Sequence, residues 1–192
     1  MKEDKRNKRS RAFLVETLLE LLEEKEYADI SIKELTEKAG IARQTFYRNY
    51  QSMDDILLRQ MDEIFDEYFE TVKITLGGDG GEINAMMKKL FYIWQRNEPV
   101  FIALQKANLA YRTLERFSFY VSLIQRQIED KAAIDDAINR YLACFIAGGT
   151  FMALNTWFQE HMHESIDELG GLFEKIMKFL IATIREYQGT VK

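Results

Sequence analysis

An all-α fold is what this sequence predicts, on three observations. One proline and ten glycines among 192 residues leave little to interrupt helices. Apolar side chains recur at helical spacing through nearly every segment. No stretch shows the strict apolar–polar alternation of a strand. Hydrophobic residues at 47% and charged residues at 30% describe a globular chain rather than a disordered one. The length suits a small N-terminal domain, residues 1–52, joined by a connecting helix to a larger helical domain, residues 53–192.

A helix is predicted from Asn7 to Lys25, with Phe13, Leu14, Thr17, Leu18, Leu21 and Leu22 as its apolar stripe. After the connection Glu26–Ile30, Ser31 and Glu34 have the spacing of a capping box, with Ile30 and Leu35 placed as a hydrophobic staple. That second helix ends at Gly40, since glycine tolerates the left-handed backbone of a helix stop. Ile41 and Ala42 form the turn, and a short third helix runs from Arg43 to Tyr50. A long helix follows over Met53–Leu76, then a glycine-rich break at Gly77–Gly81. Helices over Glu82–Arg96, stopped ahead of Pro99, and over Val100–Asn108, Ala110–Asp130, Asp135–Phe158 and Ile166–Tyr187 complete the chain.

The single cysteine, Cys144, excludes an intrachain disulfide and is expected to be a buried structural thiol of an intracellular protein. The charged N-terminus does not read as a signal peptide, and no run of about 18 apolar residues predicts a membrane span. Net charge is −5, but its distribution is uneven. Residues 1–52 carry 11 basic and 10 acidic side chains, whereas the rest carries 15 and 21. Residues 1–11 hold six bases and two acids, and residues 38–50 hold Lys38, Arg43 and Arg48 with no acid. Two basic patches on an acidic body fit a protein that meets phosphate with one end only.

The two short helices around Gly40 form a helix-turn-helix, with the motif at about residues 32–51. Thr36 and Ala39 are small enough for a close helix crossing. Ile41, Phe46 and Tyr50 make the anchoring face of the third helix, and Arg43, Gln44, Tyr47 and Arg48 point away from it. A helix fits the major groove, where arginine can fork to guanine and glutamine to adenine. Thr45 and Tyr47 can donate to phosphate and so fix register. The basic stretch Lys5–Arg9 is either a DNA-reaching arm or a solvated terminus.

The run Ile32–Tyr50, with Tyr47 and Tyr50 three residues apart, resembles the DNA-binding signature of TetR-family regulators. The likeness spans about residues 10–60, and Phe145–Gly149 with Trp157-Phe158 is similar to the penultimate helix of some members. The resemblance implies a cytoplasmic transcription regulator, a repressor more often than an activator. It implies a homodimer on a two-fold DNA operator, controlled by a small-molecule effector. It places Lys33, Arg43, Gln44, Thr45, Tyr47 and Asn49 at DNA, with Arg48 beside them. Three positions depart from it. Ala42 stands where a serine often caps the third helix, Asn49 replaces a common histidine, and Met53 stands where a lysine often meets phosphate.

In the larger domain, Phe91, Trp94, Asn108, Tyr111, Tyr120, Phe151 and Asn155 are candidates to line an effector pocket, against the alternative that they are core. Leu169, Phe173, Ile176, Leu180 and Ile184 form a stripe which, with Gly148 and Gly149 allowing close helix approach, is expected to be the dimer surface. The alternative is that the stripe serves the monomer's own core. No cofactor or metal is implied. His161 and His163 would point to opposite sides of a helix and suit a loop. Two histidines and one cysteine give little basis for a nucleophilic enzyme, and Gly77–Gly81 lacks the lysine of a phosphate loop. The readings from other classes are a helical-bundle enzyme and a protein-interaction module.

Overall fold

A computed structural model describes residues 5–76, 83–128 and 136–190. Among the described residues there are nine α-helices and no strand: α1 Lys5–Glu24, α2 Ile32–Lys38, α3 Arg43–Asn49, α4 Met53–Leu76, α5 Ile83–Arg96, α6 Glu98–Lys106, α7 Ala110–Ile128, α8 Asp136–Gln159 and α9 Ile166–Thr190. The glycine break predicted at Gly77–Gly81 lies outside the described residues. Residues 5–9 are the first part of α1, so the part of the basic stretch that is described is helical and not an extended arm. Helix α6 starts at Glu98, two residues earlier than expected, with Pro99 inside its first turn. A helix can begin across a proline because its first amides need no intrahelical acceptor.

Three helix ends share one device. Gly40, Asn108 and His161 each adopt positive φ, at 66°, 56° and 57°. After each, the next amide reaches back to close the helix: Ile41 N–H to the Thr36 carbonyl, Leu109 N–H to that of Leu104, and Met162 N–H to that of Trp157. This is the Schellman arrangement. Asn108, expected as a pocket residue, therefore has a structural task at the end of α6. The starts are also specific. Ser31 Oγ accepts from Glu34 N–H as expected, but the Glu34 carboxylate is taken chiefly by Lys25 Nζ at 2.5 Å, which pulls its pKa down. Ser165 and Glu168 form a full reciprocal capping box at α9, and Ser52 caps α4 through the Asp55 amide.

The chain packs as two compact units, Met1–Glu63 with Glu98–Thr113 and Ile64–Asn97 with Leu114–Lys192. The sequence-based boundary after residue 52 differs from this division, because the start of α4, all of α6 and the first turn of α7 belong with the first unit. Leu14, Leu18, Leu35, Phe46, Ile56, Leu57 and Met61 form that unit's innermost core. Phe13, assigned to the buried stripe, is instead exposed, with the Arg9 guanidinium over its ring.

In the second unit α5 lies along α9. A Cβ at Gly170 would meet Lys88 Cγ at 2.5 Å, so glycine is what permits the approach there. Lys88 also pairs with Asp167 across the two helices, and Asn84 donates to Glu174. Residues 140–159 of α8 have a mean hydropathy of 1.2, enough by length and composition for a membrane span, which the sequence reading did not expect. The cause is that α8 is apolar on two sides. Ala143, Ala147, Phe151, Leu154 and Trp157 are buried, while Tyr141, Phe145 and Met152 are exposed. Cys144 is exposed as well, not buried as expected.

The left-handed positions give substitutions of opposite sign. His161→Gly is expected to raise stability and Gly40→Ala to lower it, each by about 1 kcal/mol. Equilibrium unfolding in denaturant measures both, and a stabilising Gly40→Ala would contradict the account.

Candidate nucleic-acid interface

Helix α3 has only seven residues and takes its orientation from packing. Phe46 is 0% exposed and Tyr50 nearly so, with their rings 5.9 Å apart, and Ile41 is half-buried in the preceding turn. Helix α2 passes close behind through the small, buried Thr36, whose hydroxyl is absorbed by the Ile32 and Lys33 carbonyls. With one side anchored, Arg43, Gln44, Tyr47 and Arg48 are all exposed on the other. Tyr47 stands edge-on to Phe46 at 5.2 Å, which holds its ring while leaving its hydroxyl in water. Thr45 is half-buried beside them, and Lys33 is exposed on α2 with only a long 4.0 Å approach to Glu37. As the sequence suggested, Ala42 provides no side-chain cap.

Asn49 departs from the expectation that it touches DNA. Its side chain is 8% exposed, and Nδ2 donates to the Thr45 carbonyl at 2.8 Å. It closes the last turn of α3 from the anchored side.

The charges around the motif are sorted by pairing. Lys25 is held by Glu34, Lys38 by Glu20 and Glu24, Arg59 by Asp55, Arg11 by Glu63 and Arg112 by Asp54. Among the described residues, Arg43 and Arg48 have no acidic partner, and both lie on the open face of α3. Unpaired cations beside exposed hydrogen-bonding side chains are what contact with phosphates and base edges needs.

Several residues that fix this face were not anticipated. Arg59 lies 5.5 Å from the centre of the Tyr50 ring and binds Asp55, whose carboxylate also accepts from Gln51 N–H. Burial raises the Tyr50 pKa, against a smaller lowering by Arg11. Tyr27 donates its hydroxyl to Asp54 at 2.6 Å. The spacing Ser52-x-x-Asp55 is a capping signal readable in the sequence, whereas Tyr27 and Asp54 are joined by no local pattern.

The other candidate sets are divided by the fold. Phe91, Trp94 and Phe151 are buried in the second unit within a cluster of rings that includes Phe65, Phe117, Trp157 and Phe173, at centroid separations of 5.3–6.5 Å. Tyr120 edges this cluster and donates to Asp66, and Asn155 donates to the Phe151 carbonyl. Asn108 and Tyr111 belong to the first unit, Tyr111 being exposed. Of the expected dimer stripe, Phe173 faces inward against Phe91, Ile176 is exposed, and Leu169 and Leu180 are half-buried. The side chain of Ile184 lies outside the described residues. Leu172 and Phe179 are exposed on α9, and Gly148 and Gly149 have open space where a Cβ would stand.

The sequence matches the family model described as bacterial regulatory proteins, tetR family, over residues 14–59, and a TetR model described as a transcriptional regulator C-terminal region over residues 81–179. Among solved structures, the TetR-family repressor AlkX from Dietzia sp. strain DQ12-45-1b superposes with a TM-score of 0.59 at 14% identity, covering 90% of this chain and 98% of that one. The fatty acid degradation regulator FadR from Bacillus halodurans gives 0.62 at 13% identity, covering 86% and 96%. The dihydroxyacetone kinase operon activator DhaS gives 0.58 at 17% identity, covering 91% and 96%. No curated protein matches by sequence search. At these identities the structural likeness speaks for the fold.

Asn49→Ala is expected to cost about 1 kcal/mol of stability through the lost Thr45 hydrogen bond and to leave the salt dependence of DNA binding unchanged. A fall of about one in the slope of log affinity against log salt would put Asn49 at a phosphate instead.

Proposed function

The chain belongs to the TetR family of bacterial transcriptional regulators, and from that membership we propose that it is a dimeric, effector-controlled repressor reading a two-fold operator in the cytoplasm. The family assignment makes it a DNA-binding regulator and sets the enzyme reading aside. One observation carries the reading of DNA: the open face of α3 presents Arg43, Gln44, Tyr47 and Arg48, with both arginines unpaired among the described residues. In this reading α3 enters the major groove, Arg43 and Gln44 meet base edges, and Lys33, Thr45, Tyr47 and Arg48 meet the backbone.

Dimerisation is supported by the outer faces of α8 and α9. Tyr141, Phe145 and Met152 on α8 and Leu172, Ile176 and Phe179 on α9 are large and exposed, and each set falls on one side of its helix. Gly148 and Gly149, open within the chain, leave room on the same helix for a partner. Apolar faces of this size mark interaction surfaces, and a two-fold operator needs two heads about 34–36 Å apart. The sign of regulation rests on the commoner outcome in the family. AlkX is a repressor and DhaS an activator on the same fold. A small-molecule effector would act by binding one spacing of the heads better than another.

Selection from a randomised duplex pool tests the reading. The wild type is expected to enrich a two-fold sequence, and Arg43→Ala to lose about 1–3 kcal/mol on it with relaxed preference at one base position. Failure to enrich any sequence at low salt would reject the specific regulator. Phe145→Glu combined with Phe179→Glu is expected to turn a dimer into a monomer by sedimentation; a dimer that persists would place the interface elsewhere.

A further inference from the structure

The α3 face reads DNA only if α3 is held at a fixed angle to its neighbours, and one carboxylate is placed to hold it. Asp54 is the second residue of α4, four positions after the anchoring Tyr50. Its two oxygens have different partners. Oδ1 accepts from the Tyr27 hydroxyl at 2.6 Å, and Oδ2 lies 3.6 Å from the Arg112 guanidinium. Tyr27 precedes α2, and Asp54 follows α3. The hydrogen bond between them therefore closes residues 27–54 into a loop containing the whole helix-turn-helix. Tyr27 is a permanent donor at physiological pH, because burial and the adjacent carboxylate both push its hydroxyl pKa upward.

Arg112 adds a third element. It lies in the first turn of α7, one residue before the point where the first unit's share of that helix ends. The same stretch is fastened a second time, since Lys106 Nζ at the end of α6 donates to the Leu22 carbonyl in the last turn of α1 at 2.6 Å. An exposed ion pair is weak when both partners must be ordered to form it. Here Asp54 is already fixed by Tyr27 and by its place in the first helical turn, so the ordering cost falls mainly on Arg112.

We infer that Asp54, clasped by Tyr27 and Arg112, is the positioning residue that keeps the recognition helix at its DNA-reading angle to α4. The inference rests on the operator-binding reading above. It assigns a binding role to three residues outside the reading face. Their loss weakens the fit to a specific sequence, where α3 must seat accurately, and spares the loose, phosphate-driven contact with random DNA.

The test measures affinity for the selected operator and for a random duplex, each across a salt titration, with melting followed alongside. Tyr27→Phe and Asp54→Asn are expected to weaken operator binding about three- to tenfold. Arg112→Gln is expected to weaken it about two- to fivefold, with Arg112→Lys recovering part of the loss. Random-duplex affinity and salt slope stay unchanged in all four. Tyr27→Phe combined with Arg112→Gln loses less than the product of the single losses, because both act through Asp54. Folded variants with an unaltered operator-to-random ratio would overturn the inference. So would a lower salt slope with equal losses on both duplexes for Arg112→Gln, which would make Arg112 a phosphate ligand. Should Asp54→Asn fail to fold, the Arg112 pair decides, since that side chain is 51% exposed. A wild type that enriches no sequence removes the operator reading and this inference with it. Enrichment by the wild type with unaffected variants removes this inference alone.

Discussion

Everything the first unit offers to a partner depends on the complete burial of Phe46. A seven-residue helix cannot hold itself together in water, because nucleation costs more than so few hydrogen bonds return. Helix α3 exists because Phe46 and Tyr50 are packed against the core that α1, α2 and α4 supply. Once those two side chains are fixed, helical geometry leaves Arg43, Gln44, Tyr47 and Arg48 no side but the outer one. The Schellman turn at Gly40 and the capped start of α4 limit where this short helix begins and ends. The exposed face is a consequence of the buried one.

How far the sequence discloses this follows from the range of the signals. Gly40, the Ser31 cap and the spacing of Phe46 and Tyr50 act over a few residues, so the helix-turn-helix and its outward side chains are legible directly. Asn49 was legible too. It lies three residues after Phe46, and that spacing puts it on the anchored side of α3. The ring cluster was not legible as core or pocket, because both use the same residue types. The α9 stripe is wide enough to turn Phe173 inward and Ile176 outward, and only the path of α5 separates them. Tyr27 and Asp54 meet through the fold, and a single sequence carries no mark of such a meeting.

The charge arrangement reconciles an acidic chain with a phosphate-binding surface. The formal charge is −5, yet six acids of the first unit, Glu20, Glu24, Glu34, Asp54, Asp55 and Glu63, are engaged with Lys25, Lys38, Arg11, Arg59 and Arg112. Exposed pairs of this sort contribute little to stability. Their effect is to determine which cations remain available, and Arg43 and Arg48 on the open face of α3 are among them. Unpaired positive charge on the reading face lets the remaining negative charge disfavour contact with DNA in other orientations.

The two-sided character of α8 has a consequence for thermodynamics. Its inner face is satisfied within the chain, while Tyr141, Phe145 and Met152 leave apolar area in water that only a second body can remove. If a second copy is that body, folding and association share one equilibrium, and the amount of protein present becomes a variable of state alongside temperature and denaturant. Dilution would then lower the transition temperature, and a cell holding few copies would hold them nearer to unfolding than a concentrated sample does. The abundance of the chain would thus help set the lifetime of its own fold.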